Sequence, residues 1–272
     1  MSEMFGLDAF SPKEIAERVT KLGVAKARLP LLSMLMLSLL AGAFIGLGSV
    51  FYTLIKSDPA LSFATGQLLG GLVFCLGLVL VVVAGAELFT GNNLLAMAWA
   101  DRKISTGEVL KNWLVVCGAN FLGAVGLAVV VFLSGHTAMN EGMIAEQYLK
   151  IANAKCELGF GEAFFRGVLC NVLVCMAIWM ALAGRSVIDK VVAILLPVSA
   201  FVAAGFEHSV ANMFFIPMGL LIKTFGDANV VAEAVTWSGL FSNLVPVILG
   251  NLVGGSVLVG LVYYVIYLRA SR

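Results

Sequence analysis

Two glutamates lie near the centres of long apolar stretches, and each belongs to the same short pattern. The pattern is Gly-x-Glu followed by an asparagine five positions later, and the two copies are Gly85, Glu87, Asn92 and Gly205, Glu207, Asn212. A carboxylate in hydrocarbon is costly, so it usually faces the protein interior or a water-filled cavity. A matched pair in two halves of an apolar chain predicts an internal repeat built around two interrupted membrane helices.

The composition places the chain among membrane proteins. Of its 272 residues, 61% are hydrophobic and 12% are charged, whereas soluble domains carry about 25% charged residues. The net charge of +1, without a basic run, gives no reason to expect a nucleic-acid partner. The first 28 residues contain no short apolar core followed by a small-residue cleavage site, so we expect no cleaved signal peptide.

The apolar segments predict six membrane spans. A hydrocarbon core of about 30 Å requires roughly 20 apolar residues per helix, and the spans are predicted at 30–55, 64–100, 110–134, 162–184, 188–223 and 242–268. The second and fifth are too long for one straight crossing, so each is predicted to be two half-helices joined by a non-helical break. Such a break must line a cavity or lie inside the bundle. Four polar side chains are expected to satisfy its backbone groups: Thr90, Asn92, Ser209 and Asn212.

The predicted fold is an all-α membrane protein with six transmembrane helices in an inverted 3+3 repeat. Asn120 and Gly123 in the third span recur as Asn251 and Gly254 in the sixth, and three spans per half give the halves opposite orientations. Residues 1–28 are predicted to form a cytoplasmic segment whose amphipathic helix, at 11–27, lies on the membrane surface. Residues 29–269 form the transmembrane domain, and 270–272 form a cytoplasmic tail.

The distribution of lysine and arginine predicts the orientation. Twelve of these residues fall on the side of the N-terminus and five on the opposite side. Cytoplasmic loops carry the excess of positive charge, so both termini are predicted to be cytoplasmic. The largest outer loop then covers residues 135–161.

Two segments resemble the signatures of the formate/nitrite transporter family. They are Glu87-Leu88-Phe89-Thr90 and the nine residues from Gly205 to Met213, and the resemblance extends over nearly the whole chain. It implies an aquaporin-like pentamer in the bacterial inner (cytoplasmic) membrane, with one pore per protomer for formate, nitrite or hydrosulfide. Gly91-Asn92-Asn93 departs from the Ser-Thr of many formate members, whereas the second segment is of the formate type.

The resemblance also implies roles for individual residues. Phe74 and Phe201 are similar to aromatic constrictions, with Leu78 as their neighbour, and Thr90 with Leu88 is similar to the tip of the first break. His208 is similar to the central pore histidine, Asn171 to a pore-lining asparagine, Lys155 to a basic residue of the outer vestibule, and Glu207 to the acid beside the histidine. Without the resemblance, the phenylalanines could be ordinary packing residues and Lys155 a solvated loop lysine.

His208 can handle a small acid in two ways. The free pKa of histidine, about 6.5, lies near neutrality, so the ring can donate a hydrogen bond to an anion or lend it a proton. A neutral acid avoids most of the desolvation cost that its anion pays. We therefore expect His208 and Thr90 to form a central polar station between apolar slits at Phe74 and Phe201. The alternative is a core histidine that donates to a backbone carbonyl.

Glu87 and Glu207 are expected to be structural, because a carboxylate that lines an anion pore would repel the substrate. Each is predicted to accept hydrogen bonds from backbone N–H groups at its break or to pair with a neighbour. Asn92 and Asn212 are assigned to the same breaks. A proton-relay role is the alternative.

Other classes of protein lack their sequence features. A neutral-solute pore for water or glycerol would carry paired Asn-Pro-Ala motifs, a metalloenzyme His-Glu-x-x-His, and an ATP-driven pump a Gly-rich phosphate loop. The spacing of the five cysteines fits neither a zinc site nor a disulfide framework. We therefore expect no enzyme activity, cofactor or metal, and we expect lipid, a small anion and further copies of the chain as partners.

Overall fold

The computed structural model describes residues 9–226 and 230–269, and every regular element within these ranges is helical. The predicted tail at 270–272 and the first eight residues of the predicted N-terminal segment lie outside them. The first half contains α1 (Pro12–Ala27), α2 (Leu31–Lys56), α3 (Phe63–Val79), α4 (Phe89–Asn92), α5 (Leu95–Ala100) and α6 (Thr106–Leu133). The second half contains α7 (Met143–Cys156), α8 (Phe160–Ala183), α9 (Val187–Ala203), α10 (Ser209–Phe225), α11 (Trp237–Leu252) and α12 (Val262–Tyr267).

Within residues 9–226 and 230–269, five stretches of helix are long and apolar enough to cross a membrane: Leu31–Lys56, Phe63–Gly85, Thr106–Leu133, Phe160–Ala183 and Trp237–Tyr267. The second includes a π-helical turn after α3, and the last includes a π-helical segment between α11 and α12. Helices α9 and α10 have 17 residues each and are shorter than a single crossing requires.

The helical backbone stops and resumes near each of the two glutamates. The turn after α3 ends at Gly85 and α4 begins at Phe89, while α9 ends at Ala203 and α10 begins at Ser209. Gly85 has φ +85° and Gly205 has φ +71°, and glycine populates this left-handed region without steric cost. The glycine of each repeated pattern therefore permits the change of backbone direction.

Helix α1 packs against protein with its apolar side. Ile15, Ala16 and Val19 are buried in a cluster that also contains Leu94 and Trp179. The predicted helix is present, but the buried part of its apolar stripe contacts α5 and α8, which leaves that part unavailable to the membrane surface.

The predicted outer loop at 135–161 contains a buried helix. In α7, Tyr148 is fully buried and Leu149 nearly so, and the helix packs against α10. The sequence predicts a loop for this segment because its polar residues obscure the apolar face of α7.

Three helices begin with a serine whose hydroxyl accepts from the backbone three residues later, while the acidic side chain there bonds back to the serine. The pairs are Ser11 with Glu14, Ser105 with Glu108, and Ser186 with Asp189. Backbone N–H donation from Ser11 lowers the pKa of the Glu14 carboxyl, which lies outside the membrane-spanning segments. The resulting stabilisation is present at neutral pH and is lost as pH falls through the lowered pKa.

Glycines allow the long helices to approach closely. A Cβ atom added at Gly123 in α6 would overlap the carbonyl oxygen of Leu39 in α2. A Cβ added at Gly250 in α11 would overlap the carbonyl oxygen of Phe164 in α8. The pairs α2–α6 and α8–α11 are thus in contact through backbone, which holds the interrupted segments between rigid walls.

Gly123→Ala is expected to reduce the stability of the protein by about 1–3 kcal/mol, because the new methyl group meets backbone that cannot move aside. Gly126→Ala in the same helix is the matched control, since a Cβ there has no heavy atom within 4 Å. The measurement is the fraction of detergent-solubilised protein that stays monodisperse after heating. Equal losses for the two variants would refute the close contact.

Candidate functional site

Two cavities lie beside the interruptions. The larger, of about 530 Å³, is lined by α1, α2, α8 and the first interruption, including Lys26, Val81, Glu87, Leu88 and Gly91. The smaller, of about 70 Å³, is lined around the second interruption, and its walls include Tyr52, Phe74, Lys155, Phe201, Glu207 and His208.

A hydrogen bond between Thr90 and His208 joins the two interruptions. Thr90 Oγ1 lies 3.0 Å from His208 Nε2, and both side chains are buried. His208 Nδ1 accepts from the backbone N–H of Ala211 at 3.1 Å. Because an amide N–H can only donate, the neutral ring carries its proton on Nε2 and donates it to Thr90. The Thr90 hydroxyl hydrogen is then left for another acceptor. Because His208 donates to a hydroxyl, the predicted alternative of donation to a backbone carbonyl is not observed.

The two phenylalanines lie together in the wall of the smaller cavity. The ring centroids of Phe74 and Phe201 are 5.9 Å apart in an edge-to-face arrangement, and Phe201 stacks on His208 at 5.9 Å. The prediction that these residues form separate slits on either side of His208 is wrong, since rings in contact can form one constriction only.

Leu88 lines the larger cavity and is the counterpart of His208, because both are the last non-helical residue before a helix. Leu78 is buried in the core and lines neither of these cavities. An apolar leucine thus stands at the first interruption where an imidazole stands at the second.

Asn171 is fully buried and lines neither cavity. Its amide nitrogen lies 3.2 Å from Thr90 O, 2.7 Å from Asn93 Oδ1 and 2.7 Å from Asn251 O, so its two hydrogens are shared among three acceptors. The pore-lining role implied by the resemblance is therefore not seen in this arrangement. The side chain instead fixes the backbone that carries Thr90.

Glu87 pairs with a lysine from α1. Lys26 Nζ lies 2.9 Å from Glu87 Oε1 and 2.9 Å from Asn92 Oδ1. Asn92 Nδ2 donates to Glu87 Oε2 at 2.7 Å and to Asn112 Oδ1 at 3.0 Å, and Asn112 returns a hydrogen bond to the carbonyl oxygen of Lys26 at 3.2 Å.

Glu207 repeats this arrangement with a lysine from α7. Lys155 Nζ lies 2.9 Å from Glu207 Oε1. Asn212 Nδ2 donates to Glu207 Oε2 and, at 2.7 Å, to Asn243 Oδ1, whose own amide donates to the carbonyl oxygen of Lys155 at 2.8 Å. Of the two predicted alternatives for the glutamates, pairing with a neighbour is the one observed. Lys155 is 15% exposed and is not a solvated loop lysine.

Two further asparagines satisfy the interrupted backbone. Asn120 accepts from Phe89 N at 2.8 Å and donates to the carbonyl oxygens of Ser38 and Glu87 at 2.7 and 2.9 Å. Asn251 does the same for Ser209 N at 3.0 Å and for the carbonyl oxygens of Gly167 and Glu207 at 2.8 and 3.0 Å. The predicted role of Ser209 is not observed, because its hydroxyl is buried without a hydrogen-bond partner in the described ranges.

Sequence reasoning missed Lys26, Asn112 and Asn243 and gave no role to Asn120 and Asn251. One signal was present: Asn112 precedes Asn120 by eight residues, as Asn243 precedes Asn251. These asparagines sit eight apart on α6 and α11 and support the two glutamate sets in the same way.

The chain is similar to known transport proteins and to a solved channel structure. A family model described as formate/nitrite transporter matches residues 13–265. The formate channel FocA of Escherichia coli K12 is 40% identical, covering 97% of this chain and 96% of its own, and FocA of Haemophilus influenzae is 38% identical with 93% of each covered. A solved structure described as a pentameric formate channel with formate bound superposes with a TM-score of 0.83 at 39% identity, covering 88% of this chain and 98% of its own.

Breaking the second ion pair from one side is expected to cost more than removing both charges. Lys155→Met leaves Glu207 buried without its counterion and should destabilise the protein by about 3 kcal/mol, because an unpaired buried charge is costly. The double variant Lys155→Met with Glu207→Gln should recover most of this loss. Thermal unfolding in detergent gives both values, and additive losses in the double variant would contradict the pairing.

Proposed function

Because the chain belongs to the formate/nitrite transporter family, we propose that it is a membrane channel for formate. The observation that carries this proposal is the Thr90–His208 hydrogen bond, placed between the segments that line two cavities. Leu88 flanks this polar pair at the larger cavity, and Phe74 with Phe201 flanks it at the smaller one. Such a pair suits a small monovalent solute that must exchange water for a few fixed hydrogen bonds.

We propose that the architecture is an aquaporin-like inverted repeat of six spans in which the second and fifth are broken at the two interruptions. The matched sets around Glu87 and Glu207 support this, since the same residue types make the same contacts in each half. The repeated unit includes one helix beyond the three spans, because α1 supplies Lys26 as α7 supplies Lys155. Each half is then a lysine-bearing helix followed by three spans.

We assign the larger cavity to the cytoplasmic side and the smaller one to the periplasmic side of the bacterial inner membrane. The excess of lysine and arginine beside the N-terminus supports this orientation and cytoplasmic termini. The similar solved structure is described as a pentamer. On that likeness we propose five protomers, each with its own pore.

The proposed path crosses two apolar points. Phe74 and Phe201 form the constriction at the smaller cavity, and Leu88, supported by Leu78, forms the one at the larger cavity. Between them, the Thr90 hydroxyl, whose oxygen accepts from Nε2–H of His208, offers its hydrogen to an anion. Because Asn171 holds the Thr90 carbonyl, we assign it a positioning role.

A neutral His208 ring favours a hydrogen-bonding mechanism over transfer of a proton from the ring to the anion. To lend a proton, His208 must first hold one on each ring nitrogen, and a protonated Nδ1 can no longer accept from the Ala211 N–H. Loan of a proton would therefore require the ring to turn or the start of α10 to shift. Flux measurements across a pH range distinguish the two mechanisms.

Thr90→Val is expected to lower formate flux by about tenfold or more, because it removes the Nε2–H acceptor and the free hydroxyl donor while it keeps the side-chain shape. His208→Phe should also lower the flux and abolish its pH dependence. The measurement is formate uptake into proteoliposomes between pH 5 and pH 8, and a His208→Phe profile identical to that of the wild type would overturn the role of the imidazole. Ser256→Ala is the control, since its hydroxyl donates to the Asn93 carbonyl and Ser256 lines neither cavity.

The same vesicles test the other substrates. Faster flux of nitrite or hydrosulfide than of formate would identify a related channel of the same family. Rapid water or glycerol flux without anion flux would identify a neutral-solute pore and would refute the proposal.

A further inference from the structure

The lysine in the wall of the smaller cavity cannot by itself attract an anion from solution. Lys155 and Glu207 lie 2.9 Å apart with exposed side-chain fractions of 15% and 5%. At a distance, the two opposite charges cancel. If the mouth of this cavity has a positive potential, other cations must supply it.

Lys56 is one such cation, at the end of α2. Its amino group lies 2.8 Å from Gln67 Oε1, and Gln67 Nε2 donates to the carbonyl oxygen of Ala203 at 2.9 Å. The stem of Lys56 lies beside Tyr52, since a Cβ atom added at Gly70 would lie 3.6 Å from Lys56 Cδ and 2.8 Å from the Tyr52 ring. Tyr52 lines the smaller cavity, so Lys56 stands next to its wall.

Arg166 is a second cation and, like Lys56, lies near the C-terminal end of α9. Its Nη1 donates to the carbonyl oxygen of Gly205 at 3.3 Å, and Gly205 lines the cavity. Its other nitrogen bonds Glu162, which is half exposed. Glu162 offsets part of the charge of Arg166, whereas the amino group of Lys56 is held by a neutral amide.

Both cations compensate an unfavourable dipole. The carbonyl end of a helix carries roughly −0.5 elementary charge, and α9 presents this end, with Val202 and the following Gly205, to the smaller cavity. This end adds negative potential on its side of the mouth, which the two cations offset.

We propose that Lys56 and Arg166 recruit the anionic substrate to the mouth of the smaller cavity. The inference rests on the proposed function, because it concerns the anion that this channel carries. Positive potential at a mouth raises the local anion concentration, so the pair lowers the substrate concentration needed for half-maximal flux. It leaves the passage past His208 unchanged, so the maximal flux is unaffected.

The test uses right-side-out and inside-out membrane vesicles from cells without other formate channels. At about 0.01 M ionic strength, Lys56→Gln with Arg166→Gln is expected to raise the half-saturating formate concentration roughly threefold to tenfold. The rise should occur for entry from one face only and should vanish at about 0.5 M salt, where charges are screened within a few ångströms. Lys150→Gln is the matched control, because this exposed lysine of α7 changes the net charge without contacting the cavity.

The outcomes separate this inference from the proposed function. Absence of formate flux in the wild type refutes the proposed function. Formate flux in the wild type with unchanged half-saturation in the double variant, or an equal rise in Lys150→Gln, refutes the recruiting role. If the double variant does not assemble, Lys56→Gln and Lys56→Arg replace it. Lys56→Gln should raise the half-saturating formate concentration, and Lys56→Arg should keep the wild-type value. Equal half-saturating concentrations for the two variants would overturn the proposal.

Discussion

The structure depends on the neutralisation of two carboxylates inside an apolar bundle. Each interruption requires polar groups to satisfy backbone that a helix would otherwise satisfy, and each brings a glutamate with it. The cost of that charge is offset by one lysine and two asparagines, arranged in the same way around Glu87 and Glu207. Asn112 and Asn243 have a second role, because they also tie the backbone of each lysine to α6 and to α11.

Because both carboxylates are neutralised by their partners, the side chains at the centre of the bundle can serve another purpose. His208 and Leu88 occupy equivalent places before their helices, yet one is an imidazole and the other an apolar side chain. The supporting framework is therefore symmetric, while the side chains before the two helices are not. In the proposed channel, the Thr90 hydroxyl held by this imidazole would replace some of the water that a small anion loses.

The sequence was sufficient for the class of fold because the glutamate patterns and the length of two apolar segments are local features. The glycines at the interruptions and the pairing of each glutamate with a neighbour were also predictable. The identity of the partners was not, since Lys26 is 61 residues from Glu87 and comes from a helix that looked like a membrane-surface element. The contact between Phe74 and Phe201 and the buried place of Asn171 depend on helix packing, which no spacing within one segment reveals.

The origin of the two lysines has a consequence for biosynthesis. In each half the lysine precedes its glutamate in the chain, by 61 residues in the first and by 52 in the second. A ribosome therefore completes the counterion before the carboxylate emerges. When the segment that carries either glutamate reaches the translocon, its lysine partner has already been synthesised. The nascent protein therefore need not expose an unpaired carboxylate to lipid.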